Sequence, residues 1–433
     1  MEKIILCPFT LKNIINYHKL KKLGRNVVGF FDRNSYLHGE IYENTHIERA
    51  RYMPDTTVVV CSDNFFYEIS KELQSIGYKD ANIKSICDFE LKDINENEIA
   101  KDLNLDDIYR LLGYGDASIY VKAKKLFCLS EYNLQIDEFE GQTRKEVYRD
   151  QQGNGHIILK RLEVDVTTRC TLRCKNCCNM MQYFSHPNDI DVDVVINDYN
   201  RMLELIDWTD DVMPIGGETL LYRNLGKLVE EIYKNPNTSK KVGIVRVPTN
   251  GTILPNDEIL KEFSKHNLVV EISNYGSKSR KIDELIEKLI RYKIKYIVMN
   301  IQWWSNVQQY VPAETIKSEK ELLELRKGGC VTLCRVIDQG KFYLCCNLKS
   351  LMLLEAIPQD VRRECYIDVY DKNAKNQIVE YLSRDKRMPK ACQKHALGVT
   401  DVLGKTGIIV KSQLLNRQGK CWNIKDTESE VIE

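Results

Sequence analysis

Excess charge of either sign is missing from this sequence of 433 residues: 63 lysines and arginines face 62 aspartates and glutamates, leaving +1. A balance this close gives no electrostatic reason for nucleic acid or an anionic membrane to be a partner, and none is expected. Long apolar runs are missing too. Stretches such as Thr57–Cys61 and Leu351–Leu354 fall far short of the ~20 residues that a membrane-spanning helix needs. The residues from Met1 to Pro8 lack a small-residue cleavage site and read as a strand entering a turn, so a cytoplasmic location is expected. Short repeats and low-complexity segments are lacking as well. What is present, 43% hydrophobic and 29% charged residues, is an ordinary globular balance, and the length predicts two or three domains.

Cysteine is the abundant residue, with 15 copies. A secreted disulfide scaffold would be shorter and would spread its cysteines more evenly. Here they bunch as Cys170, Cys174, Cys177 and Cys178, then as Cys330, Cys334, Cys345 and Cys346. Clustered thiols in a reducing compartment indicate metal or redox chemistry before crosslinks. Cys7, Cys61, Cys87, Cys128, Cys365 and Cys421 are scattered, and most of them read as buried small hydrophobes.

The first hundred residues alternate strand and helix. Strands are predicted at Lys3–Leu6, Asn26–Phe31 and Thr56–Cys61, and helices at Leu11–Leu23 and Phe65–Ile76. This βαβ pattern predicts a Rossmann-like domain over residues 1–100. Asp32 ends the second strand, where dinucleotide-binding folds keep a ribose-binding acid. The first turn, Leu6-Cys7-Pro8-Phe9-Thr10, lacks the glycines that admit a pyrophosphate, so NAD binding is not expected. Residues 101–157 read as a charged connector. Alternation then resumes, with strands at Leu162–Val166, Val212–Ile215, Val242–Val247, Leu268–Ser273 and Tyr296–Ile301. Helices are predicted at Val192–Ile206, Leu225–Tyr233, Asp257–Phe263 and Lys281–Tyr292. Over residues 158–325 this predicts a parallel sheet rolled into a full or partial barrel, with its site at the C-terminal strand ends. Residues 326–433 are irregular and are expected to form a small extension around the second cysteine group.

The run Cys170-Thr-Leu-Arg-Cys174-Lys-Asn-Cys177 follows the first strand of this alternation. Three thiolates within eight residues can wrap one face of a cubane cluster and leave the fourth iron open. Cys-x3-Cys-x2-Cys in this position resembles the radical S-adenosylmethionine (SAM) superfamily. The resemblance implies a partial (β/α)6 barrel and a 4Fe–4S cluster that binds SAM. It also implies SAM cleavage to a 5′-deoxyadenosyl radical that abstracts hydrogen from a substrate. Gly216-Gly217-Glu218 after the second strand is similar to the family's motif for the SAM amino group. Thr249-Asn250-Gly251 and Ser273-Asn274-Tyr275-Gly276, after the third and fourth strands, resemble positions near the SAM carboxylate and ribose. Asn176 stands before the third cysteine, where the family usually has an aromatic residue.

The second cysteine group reads Cys-x9-Gly-x4-Cys from Cys330 to Cys345. Asp338-Gln339-Gly340 is a hairpin turn between arms Thr332–Ile337 and Lys341–Cys345. With Gln339 and Gly340 as a two-residue loop, Cys334 falls opposite Cys345, and Cys346 points to the other face. Cys392-Gln-Lys-His395 follows later. The set resembles the twitch or SPASM extensions of radical SAM enzymes, which implies an auxiliary 4Fe–4S cluster. Its ligands would be Cys330, Cys345 and Cys392, completed by Cys334 or by His395. A zinc site on the same residues and a Cys334–Cys345 disulfide are the competing readings.

The phrase Thr168–Met181 and the order of elements resemble a group associated with bacterial polysaccharide loci. The implied function is hydrogen abstraction from a carbohydrate or sugar nucleotide, giving dehydrogenation or epimerisation at a hydroxyl carbon. The partners would be a small-molecule or glycan-linked substrate and an electron donor such as flavodoxin or ferredoxin. A peptide-modifying maturase is the alternative enzyme, and an electron-transfer or structural iron–sulfur protein the alternative outside catalysis. Cys178 reads first as a structural thiol, with hydrogen-atom donation beside the cluster as the alternative. Trp303 and Trp304 could stack on a sugar ring or fill a core.

Overall fold

The computed structural model describes residues 2–62, 65–91, 94–112, 118–129, 156–174, 177–301, 303–305, 334–355, 357, 359–382, 409–411 and 415–417. They divide between two units, residues 1–140 and 141–433. No helix among the described residues is long and apolar enough to cross a membrane.

The first unit runs β1 (Lys3–Cys7), α1 (Leu11–Lys22), β2 (Asn26–Phe31), β3 (Ile41–Tyr42), β4 (Thr45–Glu48), β5 (Thr56–Val60), α2 (Phe66–Ser75) and β6 (Ile83–Ser85). Then follow α3 (Glu96–Ala100), α4 (Leu105–Leu112) and α5 (Ser118–Cys128), the last two inside the stretch read as a connector. The sheet order is β3-β4-β2-β1-β5-β6, parallel except for the β3–β4 hairpin. β5 is buried along its whole length and β1 along all but its first residue, as continuous apolar runs in a parallel sheet should be. Asp32 binds backbone on both sides: its Oδ2 accepts from Phe9 N (2.8 Å) and its Oδ1 from Asn34 N (2.7 Å). The acid at the end of β2 thus pins the turn after β1.

The second unit contains β7 (Ile158–Thr167), β8 (Leu172–Cys174), α6 (Val192–Leu205), β9 (Trp208–Gly216), α7 (Leu225–Lys234), α8 (Pro236–Lys241) and β10 (Val242–Thr249). It continues with α9 (Asp257–Phe263), β11 (Leu268–Asn274), α10 (Ile282–Arg291), β12 (Lys295–Asn300), β13 (Trp303–Ser305), β14 (Cys334–Asp338) and β15 (Lys341–Tyr343). The remaining elements are α11 (Cys346–Leu353), α12 (Gln359–Arg362), β16 (Tyr366–Asp368), α13 (Ala374–Leu382), β17 (Ile409–Lys411) and β18 (Leu415–Arg417). The main sheet is ordered β12-β11-β10-β9-β7-β14-β15-β16, parallel from β12 to β14 and antiparallel beyond.

Alternation along the strands separates two faces. Leu162, Val164, Val166, Val212, Val245, Val247, Val270 and Ile272 join one core with side chains of α6, α7, α9, α10 and α13. The opposite face is polar. There Arg161 pairs with Asp211 at 3.2 Å, and Arg246 pairs with Asp211 at 3.0 Å and Glu271 at 3.8 Å. This network explains why β9 begins at Trp208 and not at the expected Val212. Thr209, Asp210 and Asp211 look like a polar loop, yet all three are buried.

The hairpin forms in the expected register, with Asp338 opposite Lys341 and positive φ at Gln339 (45°) and Gly340 (79°). Its second arm is shorter than expected. β15 stops at Tyr343, and Cys345 becomes the N-cap of α11, its Sγ accepting from Leu348 N at 3.4 Å. The ladder ends at Val336 opposite Tyr343, short of Cys334 and Cys345, and the strand alternation assigned to Cys346 does not apply, because a helix starts there. On its other edge β14 joins β7, and the Cys334 backbone lies opposite Arg161. The hairpin tip docks on α6: Asp198 accepts from Gly340 N (2.8 Å) and from the Tyr370 hydroxyl (3.0 Å). Asp198→Ala would leave the buried Gly340 amide without its acceptor. It should cost about 1–3 kcal/mol, read as a lower urea midpoint, with Asp198→Asn losing less.

Candidate active site

β7 delivers the cysteine loop through a set of short polar contacts. Thr167 Oγ1 donates to Asp189 (2.7 Å), Arg169 N donates back to Thr167 Oγ1 (3.0 Å), and Arg169 pairs with Asp189 at 3.1 Å. Asn188 N binds Thr168 Oγ1 at 2.8 Å. The buried Arg173 guanidinium closes the loop on the Gln182 carbonyl (2.6 Å).

Cys170 and Cys174 are buried with Leu172 and Met181, and Cys177, Phe184 and Tyr275 pack against them. Burial, reinforced by the neighbouring Cys178, pushes the Cys177 thiol up to about 12. Burial moves Cys170 and Cys174 in the same direction, and for Cys174 the charges of Cys177 and Cys170 add to it. Thiols crowded this way ionise together only when a metal supplies the positive charge. Three soft donors in one buried loop fit an iron–sulfur cluster by their chemistry. Among the described residues, no three Cys, His, Asp or Glu side chains already stand in ligating geometry.

The second-strand motif lies against this loop with no room for side chains. A Cβ on Gly216 would fall 1.9 Å from Thr167 O, and one on Gly217 would fall 2.1 Å from Arg169 O. The backbone there bonds directly, Gly217 N to Thr167 O (2.9 Å) and Glu218 N to Arg169 O (2.8 Å). Glu218 is buried, and burial raises its carboxyl to about 7. Its two oxygens accept from Leu220 N (3.0 Å) and Asn250 N (2.7 Å), so it braces the loop after β10.

Asn250 Nδ2 donates to Thr171 Oγ1 (3.0 Å) and approaches Cys170 Sγ at 3.8 Å. Thr249 Oγ1 accepts from Gly251 N at 3.2 Å. Ser279 then joins two loops, its hydroxyl lying 2.7 Å from the Asn250 carbonyl and 3.1 Å from that of Ser273. Asn274 accepts from Gly276 N at 2.9 Å. Gly216, Gly217, Glu218, Thr249, Asn250 and Ser273 are thereby linked, with Cys170, through one hydrogen-bonded set of strand ends, and Asn274 follows directly on Ser273.

Two participants were not singled out in the sequence. Ser279 belongs to no motif, and its role depends on tertiary contact alone. Tyr275 stands inside the fourth motif and puts an aromatic ring beside the cysteines, and the absence of an aromatic at Asn176 was the available clue.

α11 brings further groups. Lys349 Nζ lies 2.7 Å from Asp165 Oδ2, with both side chains fully buried. Cys178 is hydrogen-bonded to Cys346, and Cys345 shares an apolar cluster with Cys365, which the sequence had left among the scattered cysteines. Cys330, Cys392 and His395 lie outside the described residues, as do the side chains of Cys334, Trp303 and Trp304.

Residues 164–334 match the family model described as the Radical SAM superfamily. No curated protein matches the chain. Among solved structures, it is similar to native anSMEcpe with bound AdoMet, at 14% identity and TM-score 0.36, over 52% of this chain and 81% of that one. It is similar to BtrN in complex with AdoMet and 2-DOIA at 14% identity and TM-score 0.33, over 53% and 89%. Similarity to SuiB of Streptococcus suis bound to S-adenosylmethionine is 12% identity and TM-score 0.29, over 64% and 78%.

Gly217→Ala should be severe. Its methyl would meet backbone oxygen, which cannot move aside as a flexible side chain could. The expected outcome is about 1–3 kcal/mol of lost stability and little iron retained after anaerobic reconstitution, measured by thermal melting and iron assay.

Proposed function

We propose that this chain, which carries a radical SAM domain over residues 164–334, abstracts hydrogen from a carbohydrate or sugar-nucleotide substrate and thereby dehydrogenates or epimerises it. Its cofactors are a 4Fe–4S cluster and SAM. The observation that carries the reading is the union of the cysteine loop with the ends of β9, β10 and β11 at the C-terminal edge of a parallel sheet. In a partial (β/α)6 barrel this edge is where the chemistry sits.

Cys170, Cys174 and Cys177 would hold the cluster. Bound there, the cluster and SAM would supply the radical chemistry of hydrogen abstraction. The chain's own residues position the reactants. Gly216 and Gly217 let the end of β9 close directly on Thr167 and Arg169, and Glu218 holds the Asn250 loop in place. Tyr275 offers its ring beside the cysteines, where an adenine could pack. The residues around β14 and β15 would form a twitch or SPASM extension with an auxiliary 4Fe–4S cluster on Cys330, Cys334, Cys345 and Cys392. Such a cluster would accept the electron left on a dehydrogenated substrate. A flavodoxin or ferredoxin would reduce the first cluster, and the reaction would take place in the cytoplasm.

The carbohydrate assignment is supported by the polar face of the main sheet.

Cys174→Ala should abolish 5′-deoxyadenosine formation under dithionite and SAM, since a cluster lacking one of three thiolates is labile. With wild type, deuterium should pass from ring-labelled sugar nucleotides into 5′-deoxyadenosine, read by mass spectrometry. Cleavage retained in the variant would remove the cysteine assignment. Deuterium arriving only from labelled peptides would remove the carbohydrate reading.

A further inference from the structure

The parallel sheet of the first unit reverses its winding at the centre. From β1 the chain moves outward to β2 and β4, then crosses back to β5 on the other side of β1. In open parallel sheets the crevice outside the carboxyl ends of the strands, at the point of reversal, is where ligands bind. A cavity of about 530 Å³ lies there, within the ~300–1,000 Å³ typical of small-molecule sites. Cys7 and Pro8 line it from the end of β1, Phe31 and Asp32 from β2, Arg49 from β4 and Ser62 from β5. α2 closes one side with Ile69 and Leu73.

What these walls leave open defines a ligand. Each oxygen of Asp32 already accepts one backbone amide, from Phe9 N and Asn34 N, and a carboxylate has about four lone-pair sites. Two sites remain, which is the number that a vicinal diol fills. Phe65 at the rim is 58% exposed, a large ring left in water beside the apolar walls of Phe31, Ile69 and Leu73. A flat aromatic ligand would cover it. Arg49 is exposed and forms no ion pair among the described residues. Its guanidinium only donates, which suits the ring nitrogens and carbonyl oxygens of a base.

Phosphates do not belong to this set. In dinucleotide sites the turn after the first strand offers bare amides to a pyrophosphate. Here Pro8 has no N–H, Phe9 N is taken by Asp32, and Thr10 caps α1 by accepting from Asn13 N at 3.3 Å. Charge points the same way. Arg33 is spent on Glu68 (3.0 Å) and Glu72 (2.6 Å), and His38 Nε2 on the Asp32 carbonyl (2.9 Å). The carboxylates of Asp32, Glu68 and Glu72 thus outnumber the guanidiniums of Arg33 and Arg49 around the cavity.

We propose that this cavity binds a nucleoside that carries no phosphate, its base against Phe65 and its ribose diol on Asp32. The site belongs to the first unit alone and does not rest on the carbohydrate reading.

The test uses the full chain, purified anaerobically and titrated calorimetrically with adenosine, guanosine, cytidine and uridine. The diphosphate of the tightest nucleoside follows, and then NAD. At least one nucleoside should bind, with its diphosphate and NAD weaker by about tenfold or more, because like charges meet at the acidic rim. Phe65→Ala and Arg49→Ala change exposed side chains and should leave the melting temperature unchanged. Both should weaken the nucleoside, the first by about tenfold or more, as loss of a stacking ring does. Arg49→Ala keeps the test open should Phe65→Ala melt lower. No heat from any of the four nucleosides at about 1 mM overturns the proposal. A diphosphate that binds as tightly as its nucleoside also overturns it, since the turn would then admit phosphate. Nucleoside affinity unchanged in both variants puts the binding elsewhere in the chain and overturns the site.

Discussion

The geometry of the site depends on a single steric constraint: nothing larger than hydrogen fits between the end of β7 and the end of β9. Gly216 and Gly217 lie so near Thr167 and Arg169 that backbone meets backbone. Every later contact inherits this position. Glu218 follows the glycines and reaches the Asn250 amide, and Ser279 ties the Asn250 and Ser273 carbonyls together. Four loops that are remote in sequence become one hydrogen-bonded set. Preorganisation of this kind is what positions reactants without further loss of entropy.

The polar face of the sheet shows the same economy in its charges. Arg161, Asp211, Arg246 and Glu271 form a chain of pairs, and Asp165 with Lys349 forms a second group closer to the site. Buried pairs add little net stability over apolar packing, but breaking one strands an uncompensated charge. They therefore favour one arrangement of strands over its neighbours more than they strengthen the fold.

The strands of the second unit were legible because their apolar residues alternate, and the motif residues fell at the strand ends as expected. The hairpin register was legible from Asp338-Gln339-Gly340, since that turn fixes its own pairing. Other features depend on contacts that no local pattern carries. β9 was read short because Asp211 is buried only by virtue of Arg161 and Arg246. α11 was not read at all, and only its first residue, Cys346, was placed on a strand, because a helix buried on all sides has no amphipathic period. Lys349 resembles any surface lysine until Asp165, far away in sequence, is placed beside it. Glu218 was recognised as important from its motif, but its backbone partners follow from the packing of two loops.

The seat of β14 beside β7 has a consequence for how the chain is made. β7 finds β9 soon after synthesis, but its other edge stays open until Cys334–Ile337 leave the ribosome. Through that interval a long, mostly buried strand presents unpaired amides and carbonyls to whatever is nearby. Such late, distant pairing slows folding and invites association between nascent chains. The cysteine loop grows directly out of this strand, so its thiols wait on an unfinished sheet. Chaperone occupancy and the timing of cluster loading would both be set by the arrival of the hairpin.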